Sequence, residues 1–402
     1  MRAYRVWATG WALLAALALP PAARAQDADV DPTPDPEPSL EGPHDPFGLG
    51  VKKLAYSTGL KIAEVFDDNI LLAPSGPESD RITVILLKAK LRWESGRETA
   101  HVNYRGRERL FADHTEFNGM EHFLDAAGSV GVSSFRFEAG LEWKDLKDPF
   151  DVLQVTGPVD SRFDREYFRA VGDFNRYDVE LTAARARFAV DNAALARGDY
   201  LRRELSALGA VEIGPQVAGF MEARIFATDY DEPAFSDFTY TRVVGGIRGA
   251  ISPKAHTEAR LGFGQANPDS GGLLPAKKFT GVVAAISATW EIGEKHDLRA
   301  ELAREPVESV LSGLAIADGI RFRYRYAFTE GWSAQGLLSW DRQQESDGSN
   351  DRRVIMGRIG VQWAFHDRFH ADFGALYRTA DADVRALEFE NFRFSFGLGV
   401  DW

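Results

Sequence analysis

From about Ala55 to Trp402, apolar and polar residues alternate with a period of two, stretch after stretch. The last stretch is the plainest. Phe392, Phe394, Phe396, Leu398, Val400 and Trp402 fall on one parity, and Arg393, Ser395, Gly397, Gly399 and Asp401 on the other. Successive side chains of a strand point to opposite faces, so this segment predicts a strand with one greasy face and one small or polar face. Phe135, Phe137, Ala139, Leu141 and Trp143 oppose Arg136, Glu138, Glu142 and Lys144 in the same way. So do Ile320, Phe322, Tyr324, Tyr326 and Phe328 against Arg321, Arg323 and Arg325. Asp178–Val190 starts in phase and loses it midway, which predicts a bulge.

Two kinds of connection alternate between these stretches. The short kind includes Glu94-Ser95-Gly96-Arg97, Ser133-Ser134, Arg176-Tyr177, Gly214-Pro215 and Ser252-Pro253-Lys254, mostly hairpin residues. The longer, polar kind includes Asp67–Asp80, Lys147–Arg162, Asp191–Asp199, Asn267–Lys277 and Glu305–Asp318. Alternating short and long connections imply about eighteen antiparallel strands, the signature of a bacterial outer-membrane barrel. The predicted fold is therefore all-β: a transmembrane, antiparallel, up-and-down β-barrel. A soluble β-sandwich also alternates, but it rarely combines so many hairpins with aromatics at strand ends. An Arg or Lys facing lipid at the midplane costs about 2–4 kcal/mol, so the charged parity is expected to face the lumen. Trp93, Trp143, Trp290, Trp332, Trp340, Trp363 and Trp402 lie mostly near strand ends, where aromatic girdles form. A barrel of this size is wide enough for an aqueous lumen.

Composition adds the compartment. Arg2 and Arg5, an apolar run from Trp7 to Leu19 and Ala23-Arg24-Ala25 give a cleaved signal peptide over residues 1–25. Residues 26–54 read as an acidic, Pro-rich periplasmic linker, with six prolines and seven acids between Asp27 and Pro46. The barrel would then occupy 55–402, with both termini on the periplasmic, short-turn side. The net charge of -13 excludes nucleic acid as a partner, because phosphate binding needs a basic face. There are 0 cysteines, so no disulfide staples this exported chain. No later apolar run is long enough for a transmembrane helix, which leaves the closed barrel as the spanning solution.

Candidate chemistry is confined to the charged parity. Arg105, Arg107 and Arg109 share one face, as do Arg321, Arg323 and Arg325. Together they form a candidate basic ladder in the lumen, with Glu138, Glu142, Glu222, Glu258, Glu301 and Asp372 as counter-charges and Arg358 and Arg378 as further lining residues. Two readings stand: a track of guanidinium donors for an anionic or hydroxylated solute, or ion pairing that stiffens a wide wall. The second is the simpler. His366 and His370 are four apart, a helix ligand spacing that means little across a β-turn. No phosphate loop, nucleophile elbow or metal-spaced carboxylate set is present, so neither a cofactor nor an enzymatic activity is expected. Asp67-Asp68-Asn69 reads as a loop entry whose side chains bond locally.

One segment carries a family likeness. Ala63-Glu64-Val65-Phe66-Asp67-Asp68-Asn69-Ile70, then Ser79-Asp80 and a strand reaching Leu91-Arg92, resembles the opening hairpin of the β-barrel porin 2 family. The resemblance implies a wide outer-membrane pore acting with periplasmic components in the export of exopolysaccharide or capsule. The last strand, running through Leu398 and Val400 to Trp402, looks like the C-terminal signal read by the barrel-assembly machinery. The leading expectation is thus a pore for a polysaccharide cargo, surrounded by outer-membrane lipids. The alternative is a general or substrate-selective diffusion porin for small solutes.

Overall fold

In a computed structural model, the structure describes residues 53–147, 160–191, 198–232, 235–269, 278–293, 295–309 and 313–402. The expected leader, and the linker up to residue 52, lie outside the described residues, as does 148–159 of one long loop.

Eighteen strands close into one antiparallel barrel. They are β1 Lys53–Asp67, β2 Asp80–Ser95, β3 Glu98–Phe111, β4 Gly119–Val132, β5 Phe135–Leu146 and β6 Ser161–Phe174. Next come β7 Tyr177–Val190, β8 Tyr200–Gly214, β9 Val217–Tyr230, β10 Phe238–Ser252, β11 Ala255–Pro268 and β12 Phe279–Glu291. The last are β13 His296–Ser309, β14 Gly313–Thr329, β15 Trp332–Glu345, β16 Asp351–His366, β17 Phe369–Ala382 and β18 Phe389–Asp401. Each strand pairs with its sequence neighbours. The terminal strand closes the ring on β1, from Gly59 opposite Asp401 to Asp67 opposite Arg393. Closure removes the open edges that hydrocarbon would not tolerate.

The alternation gives each parity its place. On β18, outward Phe394 and Leu398 are exposed while inward Ser395 and Gly397 are buried. The same holds on β10, where Val243 and Ile247 point out and Val244 and Arg242 point in. Outward aromatics gather at the turn end: Trp332 stacks on Trp363 at 5.4 Å, and Trp363 meets Phe365 at 5.2 Å. These rings mark the membrane interface.

Four expectations need correction. The Phe174–Tyr177 turn is Asn175-Arg176, one residue earlier than predicted, with Asn175 at φ 65 in the left-handed region that Asn tolerates. The following turn falls on Pro215-Gln216 rather than Gly214-Pro215. Asp178–Val190 contains no bulge, and its register is continuous on both sides. Its phase is lost because the environment changes. Arg185 and Arg187 take the outward parity above the lipid belt, while Ala186, Phe188 and Val190 turn into a buried interior. Finally, the described parts of Glu305–Asp318 are strand rather than loop. Both arms continue as strand, with Val307 opposite Ala315 and Pro306 opposite Ile316.

Candidate functional site

The interior differs along its length. At the turn end, inward Arg323 and Arg325 of β14 and His256 of β11 are exposed to water. At the loop end, inward positions are buried all round the ring: Asp67 1%, Asp80 2%, Glu121 0%, Thr228 0%, Glu345 2% and Arg378 2%. The candidate site is the zone where one becomes the other.

Its largest feature is the upper arm of β13 and β14. Above Arg304 the β13 strand leaves β12 and leans inward with β14. Glu308 accepts from Arg202 at 2.9 Å and lies 3.4 Å from the Thr228 hydroxyl. Glu305 accepts from Arg242 at 2.6 Å, and Arg260 lies 3.6 Å from the same carboxylate. The Tyr230 hydroxyl donates to the Gly313 carbonyl at 2.5 Å. Arg202 stands on β8, five strands from β13 along the wall. At about 4.8 Å per strand that is an arc of roughly 24 Å, so the arm cuts a chord across the lumen.

Between arm and wall lies an apolar core. Phe226, Tyr230, Phe238, Tyr240, Ala266, Phe279 and Val283 project inward from β9–β12, and Leu314 and Ile316 meet them from β14. The mouth of the barrel is here a two-layer β-sandwich, the usual way in which a sheet buries one face. Small residues make room for the rings. A Cβ at Gly264 would sit 2.5 Å from the Tyr240 hydroxyl. A polar layer lies beneath, where Arg224 donates to Glu204 at 2.6 Å and Arg242 also donates to Glu222 at 2.6 Å. Buried charges of this kind persist only when paired and hydrogen-bonded.

The predicted site residues all project inward, but they do not form one ladder. Arg105, Arg107 and Arg109 of β3 stand seven strands from Arg321, Arg323 and Arg325 of β14, so they line facing walls. Arg105 lies 4.2 Å over the Phe123 ring. Arg107 and Arg109 both donate to Glu121, which is fully buried. Glu138 accepts from the Tyr167 hydroxyl at 3.1 Å, and Glu142 lies 3.6 Å from Lys144. Glu258 lines a small cleft with Arg260, Ser287 and Glu301. On β14, Arg321 stands opposite Glu301, Arg323 opposite Arg299, and Arg325 opposite Asp297. Arg358 lies at the same height as Arg323, two strands on, with Leu337 between them. Asp372 is fully buried, 3.2 Å from the Lys61 ammonium. Arg378 donates to Asn391 at 3.0 Å.

The residues that carry the family likeness have a different job. Asp67 accepts from Arg393 at 2.6 Å, from Asn391 at 2.5 Å and from the Asn69 backbone at 3.0 Å. Asn69 donates to the Glu390 carbonyl at 2.8 Å, and Asp68 accepts from the Phe392 N–H at 2.7 Å. Asp80 accepts from the N–H groups of Ala112, Asp113 and His114 between 2.9 and 3.2 Å. The motif clasps the first loop to the last strand and caps the next loop.

Sequence reasoning missed Glu305, Glu308, Arg202 and Tyr230. The available signal was the parity switch on β7 and β8, where Arg185, Arg187 and Arg203 take the outward side.

No family model matches the chain, and no curated protein matches it in sequence. Among solved structures it is similar to OpdK from Pseudomonas aeruginosa, solved with vanillate, at 10% identity and TM-score 0.45 over 86% of this chain and 99% of that one. It is similar to OccK2 (OpdF) from the same organism, solved with glucuronate, at 11% identity and TM-score 0.48 over 87% and 99%. OccAB3 from Acinetobacter baumannii matches at 8% identity and TM-score 0.46, again over 87% and 99%.

Proposed function

We propose that this barrel is an outer-membrane diffusion channel for small polar or charged solutes. The observation that supports it most is the inward arm of β13 and β14. Pinned at Glu305 and Glu308 across a chord of the lumen, it narrows the loop end, while inward Arg323, Arg325 and His256 at the turn end stay exposed. A narrowed mouth favours small molecules over a sugar polymer. Export of polysaccharide with periplasmic components is the second reading. It leans on the likeness of the opening hairpin, whose Asp67, Asn69 and Asp80 have structural duties here.

On this reading the short turns and both termini are periplasmic, the long loops face outward, and the belt is solvated by outer-membrane lipids. The assembly machinery reads the last strand. Purified barrel in planar bilayers and liposomes tests the proposal. Steady conductance is expected, with liposome swelling that falls off steeply as solute size rises. A barrel that conducts nothing, together with loss of surface polysaccharide on gene deletion, would overturn it in favour of export.

A further inference from the structure

The ladder between β12 and β13 stops early. It runs from Glu291 opposite Asp297 to Ala284 opposite Arg304. Above that point Phe279–Val283 is paired with β11 on one side only. Strand β13 also continues, as Glu305–Ser309, paired with β14 alone. Among the described residues, two neighbouring strands of a closed barrel therefore separate at the same height. Neither has a register shift there. An unpaired strand edge is a standing template for a partner strand.

The missing partner is the arm itself. Continued in phase from Ala284 and Arg304, the ladder sets Val283 against Glu305, Gly281 against Val307, and Phe279 against Ser309. The faces also agree. Glu308 would point outward opposite Thr280, above the Arg304–Asp318 ion pair and so clear of the lipid belt. The arm thus has two places to pair: the latch to Arg202, Arg242 and Tyr230, and the open backbone edge of β12. An element with two discrete packings is the physical basis of a switch.

We propose that the arm is a strand gate, in which β13 leaves its latch and zips onto β12 to widen the mouth. This rests on the channel reading above. The chain has 0 cysteines, so an introduced pair is the only pair. Gly281→Cys with Val307→Cys should cross-link under mild oxidation, read by gel mobility and mass. Adding Glu305→Gln and Glu308→Gln should speed cross-linking at least tenfold. The cross-linked channel should conduct several-fold more than the reduced one, reversibly. Single-cysteine chains that still show heat-modifiable migration establish that the barrel folds. No cross-link in a folded, latch-broken barrel overturns the gate, as does a cross-link that leaves the conductance of a conducting barrel unchanged. A cross-link in a barrel that conducts in neither state sinks the channel reading and leaves the strand movement standing.

Discussion

The seam between β18 and β1 and the quadrant from β8 to β14 reach the same rim of the barrel, and they are closed by opposite means. At the seam the strands stay paired to the top, and Asp67, Asn69, Asn391 and Arg393 satisfy one another in a polar clasp. In the quadrant the strands part, and Phe238, Tyr240, Phe279 and Leu314 fill the interior with an apolar core. A paired wall brings the inner faces of its strands close, so matched polar groups can seal it. A parted wall exposes inner apolar surface, and folding a second layer inside buries it. The clasp gains from geometry and the core from area, at roughly 25 cal/mol for each Å² of apolar surface buried.

The largest effect should come from breaking the clasp. Asp67→Ala leaves the Arg393 guanidinium, whose side chain is 13% exposed, without its carboxylate. It also leaves Asn391 short of an acceptor. Removing one partner of a buried ion pair costs about 3–5 kcal/mol. Urea unfolding of the refolded barrel, followed by tryptophan fluorescence, reads this. Asp67→Asn keeps the shape and should lose clearly less. Equal, small losses from both changes would mean that the clasp is incidental to closure.

The quadrant predicts a different failure. Leu314 is 1% exposed, and Leu314→Ala should cost about 2–4 kcal/mol through lost burial and a cavity. It should also raise conductance, because the arm loses its apolar footing. A seam variant of equal stability loss should leave conductance alone. If both changed conductance alike, the contrast between clasp and core would collapse. Gly264→Ala probes the same core from the wall. Its Cβ would press on the Tyr240 ring and hydroxyl, an overpacking worth about 1–3 kcal/mol. Tyr240→Phe in that background should recover part of the loss.

What could be read in the chain followed from local pattern. Phe394, Leu398 and Trp402 gave a closing strand because lipid punishes any break in alternation, and the eighteen strands followed from the turns between such runs. The quadrant was opaque because its partners are remote. Glu305, Pro306 and Glu308 look like loop residues until Arg242 and Arg202 are found across the lumen. Asp67-Asp68-Asn69 looked like a local turn, and part of it is one, since the Asn69 N–H bonds Asp67. Its main partners, Asn391 and Arg393, lie more than 320 residues away. The basic ladder failed for a related reason. Parity tells which face an arginine takes, but not which wall of the barrel it stands on.

The smallest effect on stability should fall at the turn end, and it separates buried interior charge from exposed interior charge. Arg323 and Arg325 are inward yet exposed, and Arg323 faces Arg299 across the ladder. Exposed charges contribute little to folding, so Arg323→Gln with Arg325→Gln should shift unfolding by no more than about 0.5 kcal/mol. On the channel reading, their field fills the path of an ion. In a salt gradient the double variant should move the reversal potential towards cation preference. That shift should shrink as ionic strength rises and the Debye length falls below about 10 Å. Arg107→Gln is the control on the facing wall: its guanidinium is paired with buried Glu121, so its loss should be felt in stability more than in selectivity. If the β14 pair changed stability while leaving the reversal potential fixed, those arginines would belong with the clasp as structural ion pairs, and the turn end would lose its part in selecting the solute.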